Sequence, residues 1–101
     1  SGVCAYDPEI VIENRLFCFT GASDRGTRTH LASIVDQLGG TFNKGLRNDT
    51  DYLVVGAKGN PCWAYACYGR KVEDAVARRR GGQRLLIVHE FDFRDTADSL
   101  L

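Results

Sequence analysis

Apolar and polar positions along this chain switch repeatedly between strand-like runs and helix-like stripes. RLFCFTG (15–21) is apolar and aromatic over the length of a strand and stops at a glycine, which predicts a buried β-strand. The period then changes. Leu31, Ile34, Val35 and Leu38 recur at the spacing that lines one face of a helix, with Thr27 in the N-cap position and Gly39 where a left-handed C-cap is expected, so a helix is predicted over 28–38. GTF (40–42) reads as a short strand, NKGLRNDT (43–50) as a polar turn, and DYLVVG (51–56) as a strand whose unbroken apolar centre is covered on both faces. After the aromatic-rich connection AKGNPCWAYACYG (57–69), RKVEDAVARRRGG (70–82) carries a short apolar stripe of Val72, Ala75 and Val76 and stops at Gly81-Gly82. QRLLIVHE (83–90) is the last predicted strand, and FDFRDTADSLL (91–101) a terminal helix with Phe93, Ala97 and Leu100 or Leu101 inward. EIVIEN (9–14), after Pro8, reads as an arm or extra strand, so residues 1–13 are separated from a domain over 14–101. The order β-α-β-β-α-β-α implies an α/β domain with parallel pairing and right-handed crossovers.

A length of 101 residues suits one core, and 44% hydrophobic with 26% charged residues is ordinary globular composition. Formal net charge is zero, which removes any global attraction to nucleic acid or anionic lipid, yet the charge is uneven. Residues 1–88 carry 12 Lys/Arg against 9 Asp/Glu, whereas residues 89–101 carry one Arg against four acids, so an anion site must be local. No apolar run approaches the roughly 20 residues that span a bilayer. The start SGVCAYDPE lacks the features of a signal peptide, and the expectation is a cytoplasmic, nucleoid-associated protein with no membrane partner. Cys4, Cys18, Cys62 and Cys67 form no dense framework and fit reduced thiols; the spacing of Cys62 and Cys67 is not that of a zinc knuckle, and no metal is expected.

The chemistry-bearing stretch is FTGASDRGTR (19–28), a Thr-Gly after a strand with a second glycine before a helix. Gly21 and Gly26 have the glycine spacing of a phosphate loop, but Thr27 and Arg28 stand where Lys and Ser/Thr are required, and the G-x-G-x-x-G pattern is also missing. Nucleotide hydrolysis and a dinucleotide cofactor are therefore disfavoured, and no cofactor is expected. What remains is the anion affinity of a helix N-terminus: Thr20 offers a hydroxyl, Gly21 an unobstructed amide and Arg28 a guanidinium fork, with Lys71 opening a second helix. The same residues are open to a purely structural reading, a tight turn and solvated cations. Asp49 with Asp51 and Glu73 with Asp74 come without nucleophile or ligand partners, as do His30 and His89, so no catalytic residue is assigned and the chain is expected not to be an enzyme.

LFCFTG, the helix ending in LGG (38–40), TDYLVVG (50–56), GRKVEDA (69–75) and LLIVHEFDF (85–93) together resemble the BRCT family of DNA repair and replication modules, over most of the chain from about residue 10 onward. GTR (26–28), CW (62–63) and YGRK (68–71) look in particular like bacterial BRCT modules that stand alone or sit beside nuclease domains. The resemblance implies a four-stranded parallel sheet with the first and third helices on one face and the second on the other. It implies that Thr20, Gly21, Arg28 and Lys71 converge on a bound phosphate, with Arg25, Arg70 and Arg78 as further DNA contacts. Arg28 follows Thr20 at the interval seen in family members that bind 5′-phosphorylated DNA ends. The chain departs from the family at Phe93, where tryptophan is common. The function implied is a non-catalytic phosphate-recognition module for DNA ends, in company with other DNA-processing proteins; the alternatives are a phosphorylated protein ligand or a dimerisation and protein-interaction role. Two basic and aromatic features keep two readings each. Arg78, Arg79 and Arg80 suit a helix C-terminus as a solvated face and could touch a DNA backbone, while Trp63, Tyr65 and Tyr68 could stack on a base or pack the long connection.

Overall fold

Four short strands, three of them buried at their centres, set the frame in the computed structural model, which describes residues 4–24, 26–58 and 69–101. They are β1 (Leu16–Thr20), β2 (Thr41–Phe42), β3 (Tyr52–Val55) and β4 (Leu86–His89), interleaved with α1 (Arg28–Gln37), α2 (Arg70–Arg80) and α3 (Glu90–Leu100). All pairings are parallel and the sheet order is β2-β1-β3-β4, the α/β architecture that the resemblance implies. Register places Thr20 beside Val55 and Val55 beside His89, so these three residues mark the carboxyl edge of the sheet.

Period-2 alternation divides the core. Phe17, Phe19, Tyr52, Val54 and Val88 point to one face, where they meet Leu31, Ile34 and Val35 of α1 and Phe93 and Ala97 of α3. Cys18, Leu53 and Ile87 point to the other and meet Val72 and Ala75 of α2. Rings organise the first face: Phe17 stacks on Tyr52 at 4.8 Å between centroids, and Phe93 makes edge contacts with Phe17 at 5.7 Å and Phe19 at 5.6 Å. Phe93 is thus the aromatic anchor between α3 and the sheet. Ile10 and Ile12 close the same cluster from the N-terminal segment, which lies outside the four strands and is held by Val11 N–H donating to the Tyr52 hydroxyl at 3.0 Å.

Caps follow the local sequence. The Thr27 hydroxyl accepts from His30 N–H at 3.1 Å, and Gly39 takes φ +88° just past α1. Two expectations need correction. Glu90, read as the end of the last strand, is the first residue of α3, because His89 turns and its Nδ1 accepts from Phe91 N–H at 3.0 Å as the N-cap. Leu100 and Leu101 do not face inward; they are 57% and 58% exposed, since the sheet beneath α3 is already covered by Phe93 and Ala97 one to two turns earlier.

Removing the anchor ring tests this packing. Phe93→Ala is expected to destabilise the domain by about 3–5 kcal/mol, measured by urea denaturation, through lost burial and the cavity left between α3 and the sheet.

Candidate functional site

At the carboxyl edge of β1, the chain turns sharply at Gly21, whose φ of +78° favours glycine. This turn lies against the one that follows β3: Gly56 N–H donates to Thr20 O at 2.8 Å, and Ala22 and Lys58 form an antiparallel bridge. A Cβ on Gly56 would fall 2.3 Å from the Ala22 carbonyl oxygen, so the approach of the two turns requires glycine there.

The expected phosphate-binding residues gather around this edge. Arg28 opens α1 and its Nη2 donates to Gly21 O at 3.3 Å. Lys71 lies in the first turn of α2, and its Nζ donates to Phe19 O at 3.0 Å and Lys44 O at 2.5 Å, which ties α2 to the peptide just before Thr20 and to the loop after β2. Thr20, Gly21, Arg28 and Lys71 therefore come from three separate elements to one place, Arg28 and Lys71 from the first turns of α1 and α2. Arg28 and Gly21 are exposed and Lys71 is half-buried. The space enclosed among Thr20, Gly21, Arg28, Gly56 and Glu90 is only about 10 Å³, room for one water. An anion at this turn would sit on its outer side, against the exposed Gly21 and Arg28.

The other basic residues separate. Arg70 is exposed at the start of α2, next to Lys71. Arg78 lies seven residues further along the helix from Lys71, about 10 Å in rise, and is bound by Asp74 and Asn48, both at 3.1 Å. It does not join the turn. Arg25, the aromatic residues Trp63, Tyr65 and Tyr68, and Cys62 and Cys67 lie outside the described residues. The acidic pairs have local work: Asp51 Oδ2 accepts from Leu16 N–H at 2.8 Å, Asp49 pairs with Arg47 at 3.1 Å and Asp74 with Arg78. Among the described residues, no three His, Cys, Asp or Glu side chains form a group able to hold a metal. No helix among them is long and apolar enough to cross a membrane.

Glu90 is the residue that pattern reading missed. Its side chain is fully buried, where a carboxylate is tolerated only with its oxygens satisfied. Oε1 accepts from Asp24 N–H and Ala57 N–H, both at 2.9 Å, and Oε2 accepts from the Ser23 hydroxyl. One side chain at the start of α3 thus holds the turn after β1 and the turn after β3 together. The only signal in the sequence is a lone acid between an apolar strand and a helix, which periodicity assigns to neither.

Cys18 lies under the same edge. The fully buried thiol donates to Lys44 O at 3.5 Å, the carbonyl that Lys71 also uses. Burial pushes its pKa up, and the neighbouring Lys71 ammonium opposes this only in part, which suits a neutral core thiol rather than a nucleophile.

Two outcomes test this geometry. Glu90→Ala leaves two N–H groups and a hydroxyl without their acceptor and is expected to cost about 3 kcal/mol or more in urea denaturation. Glu90→Gln should cost less, because the amide oxygen can accept both N–H groups and its NH₂ can donate to Ser23 Oγ. The second concerns pH. The folded Cys18 thiol keeps its proton to higher pH than the unfolded one, so stability is full below the ordinary thiol pKa of about 8.5 and falls as pH rises beyond it, by at most about 1.4 kcal/mol per pH unit. Cys18→Ala is expected to flatten that alkaline decline in part, leaving the share due to Cys4, whose thiol is also raised by burial.

Comparison with known proteins finds sequence similarity to DNA ligases. No family model matches the chain. It is 44% identical over 46 residues to a DNA ligase of Aquifex aeolicus (strain VF5), which is 46% of this chain and 6% of the ligase. It is 32% identical over 81 residues to a DNA ligase of Fervidobacterium nodosum, which is 80% of this chain and 10% of the ligase. The chain spans a tenth or less of the length of these relatives, and what it resembles is a short segment of each.

Proposed function

We propose that this domain is a BRCT module that recognises phosphate without catalysis in a DNA-processing protein, and that its ligand is a 5′-phosphorylated DNA end. The observation that carries the reading is the meeting of Thr20, Gly21, Arg28 and Lys71 at the carboxyl edge of β1, where two helix N-termini also arrive. Open α/β sheets bind ligands at this edge, and oriented N–H groups with a guanidinium fork suit a terminal phosphate. Similarity to segments of two DNA ligases supports DNA as the source of that phosphate. In this reading Arg28 releases the Gly21 carbonyl and turns its donors to the phosphate. Lys71 keeps α2 against β1 and adds positive charge beneath the bound group, while Arg70 lies close enough to reach the adjoining backbone. Other domains of a longer DNA-processing protein are the natural partners, and the cytoplasmic nucleoid the natural location.

Titration of the labelled 101-residue chain with a short duplex, with and without a 5′-phosphate, tests the reading at low salt. Phosphate-dependent NMR shifts are expected at Thr20, Gly21, Arg28 and Lys71. Arg28→Ala should weaken binding of the phosphorylated duplex about tenfold or more, the value of one charge-assisted hydrogen bond, without loss of stability. Shifts that ignore the phosphate would refute the DNA-end assignment, and the same residues responding only to a phosphopeptide would transfer the site to a protein ligand.

A further inference from the structure

The amino edge of the sheet, opposite the turn at Thr20, has a use for arginine that the 5′-phosphate reading leaves unexplained. Arg15 immediately precedes β1, Arg79 lies in the last turn of α2, and Arg84 precedes β4. The three line one shallow depression of about 690 Å³ together with Asn14, Asp51 and Gln83. All three are exposed, and among the described residues none of their side chains makes a hydrogen bond or ion pair. Their neighbours differ: Arg47 pairs with Asp49, and Arg78 with Asp74 and Asn48.

Helix capping does not account for Arg79. The carbonyls of Ala77, Arg78 and Arg79 already accept from the N–H groups of Gly81, Gln83 and Gly82. Within the lining of the depression these three guanidinium groups face one acid, Asp51, whose Oδ2 accepts from Leu16 N–H, so the lining carries a formal charge of about +2. Arg15 and Arg84 flank β3, two strand spacings apart, or about 10 Å. Three axial steps between phosphates along one strand of DNA, at about 3.4 Å each, cover the same distance.

We infer that this amino-edge depression is a second nucleic-acid contact, in which Arg15, Arg79 and Arg84 bind the sugar-phosphate backbone of duplex DNA irrespective of its ends. It lies the length of β1 away from Thr20, about 17 Å, and does not depend on the 5′-phosphate site. Guanidinium groups supplied by three separate segments, held apart and unpaired, suit successive phosphates better than one compact carboxylate. A domain with both sites would hold the DNA body on one edge and a phosphorylated end on the other.

The test is binding of the 101-residue chain to a duplex with 5′-hydroxyl ends across a potassium chloride series. Three phosphate contacts predict a log–log salt slope near −2.7, or about a 40-fold loss of affinity between roughly 50 and 200 mM. The triple variant Arg15→Gln, Arg79→Gln, Arg84→Gln should bind at least tenfold more weakly at low salt with a slope near zero. Each single variant should lower the slope by about 0.9 with an unchanged melting temperature. Arg28→Ala should keep the wild-type slope on this duplex, which separates the two sites. Wild-type affinity and slope in the triple variant would overturn the inference, as would failure of the wild-type chain to bind the hydroxyl-ended duplex at low salt. Loss of self-association in the triple variant with DNA binding intact would overturn it in favour of a second copy, whose acidic α3 would then be the occupant.

Discussion

A buried carboxylate cannot stay in an apolar interior unless its oxygens are satisfied, and Glu90 meets that constraint by drawing two turns together. Asp24 and Ala57 N–H groups and the Ser23 hydroxyl all converge on it from residues far away in sequence. The carboxyl edge of the sheet takes its shape from this convergence. Gly56 can lie against the Ala22 carbonyl, and Gly21 can hold its left-handed turn, because both loops end on the same acceptor.

The division of the sheet into two faces determines which side chains reach that edge. Phe17 and Phe19 turn toward α1 and α3, so Cys18 and Thr20 turn toward α2. This brings the peptide before Thr20 within reach of Lys71, whose ammonium stitches β1 and the loop after β2 to the start of α2. Lys71 is therefore structural and electrostatic together: its bonds to carbonyl oxygens fix α2, and its charge remains beside the turn. Arg28 is held more lightly, by one bond at 3.3 Å to an exposed carbonyl, and is the cation with freedom to change partner.

Arginine is used in two ways across the molecule. Where an acid lies four residues away or across a loop, as for Arg78 with Asp74 or Arg47 with Asp49, the guanidinium is engaged within the domain. At the amino edge Arg15, Arg79 and Arg84 have no such neighbour among the described residues, since Asp51 is occupied by the Leu16 N–H and the acids of the C-terminal segment lie on α3. Zero net charge over the chain thus conceals a basic edge and an acidic helix.

Strand and helix identity, the order of the elements, the Thr27 and Gly39 caps and the inward residues of α1 and α2 were all legible in the sequence, because each depends on periodicity or capping within a few neighbouring residues. Thr20, Gly21, Arg28 and Lys71 could be named from a glycine turn and two helix starts, but their convergence on one place was implied only by resemblance to a family, since no local period links residues on three elements. The tertiary structure alone decided the rest. Glu90 looked like the end of a strand, and its role appeared only when Ser23, 67 positions away, was folded against it. Leu100 and Leu101 had an inward period and no sheet left to cover. Arg78 and Arg79 are adjacent in the chain, yet one is paired and the other faces solvent, because their directions around α2 differ by about 100° and only one of them meets Asp74 and Asn48.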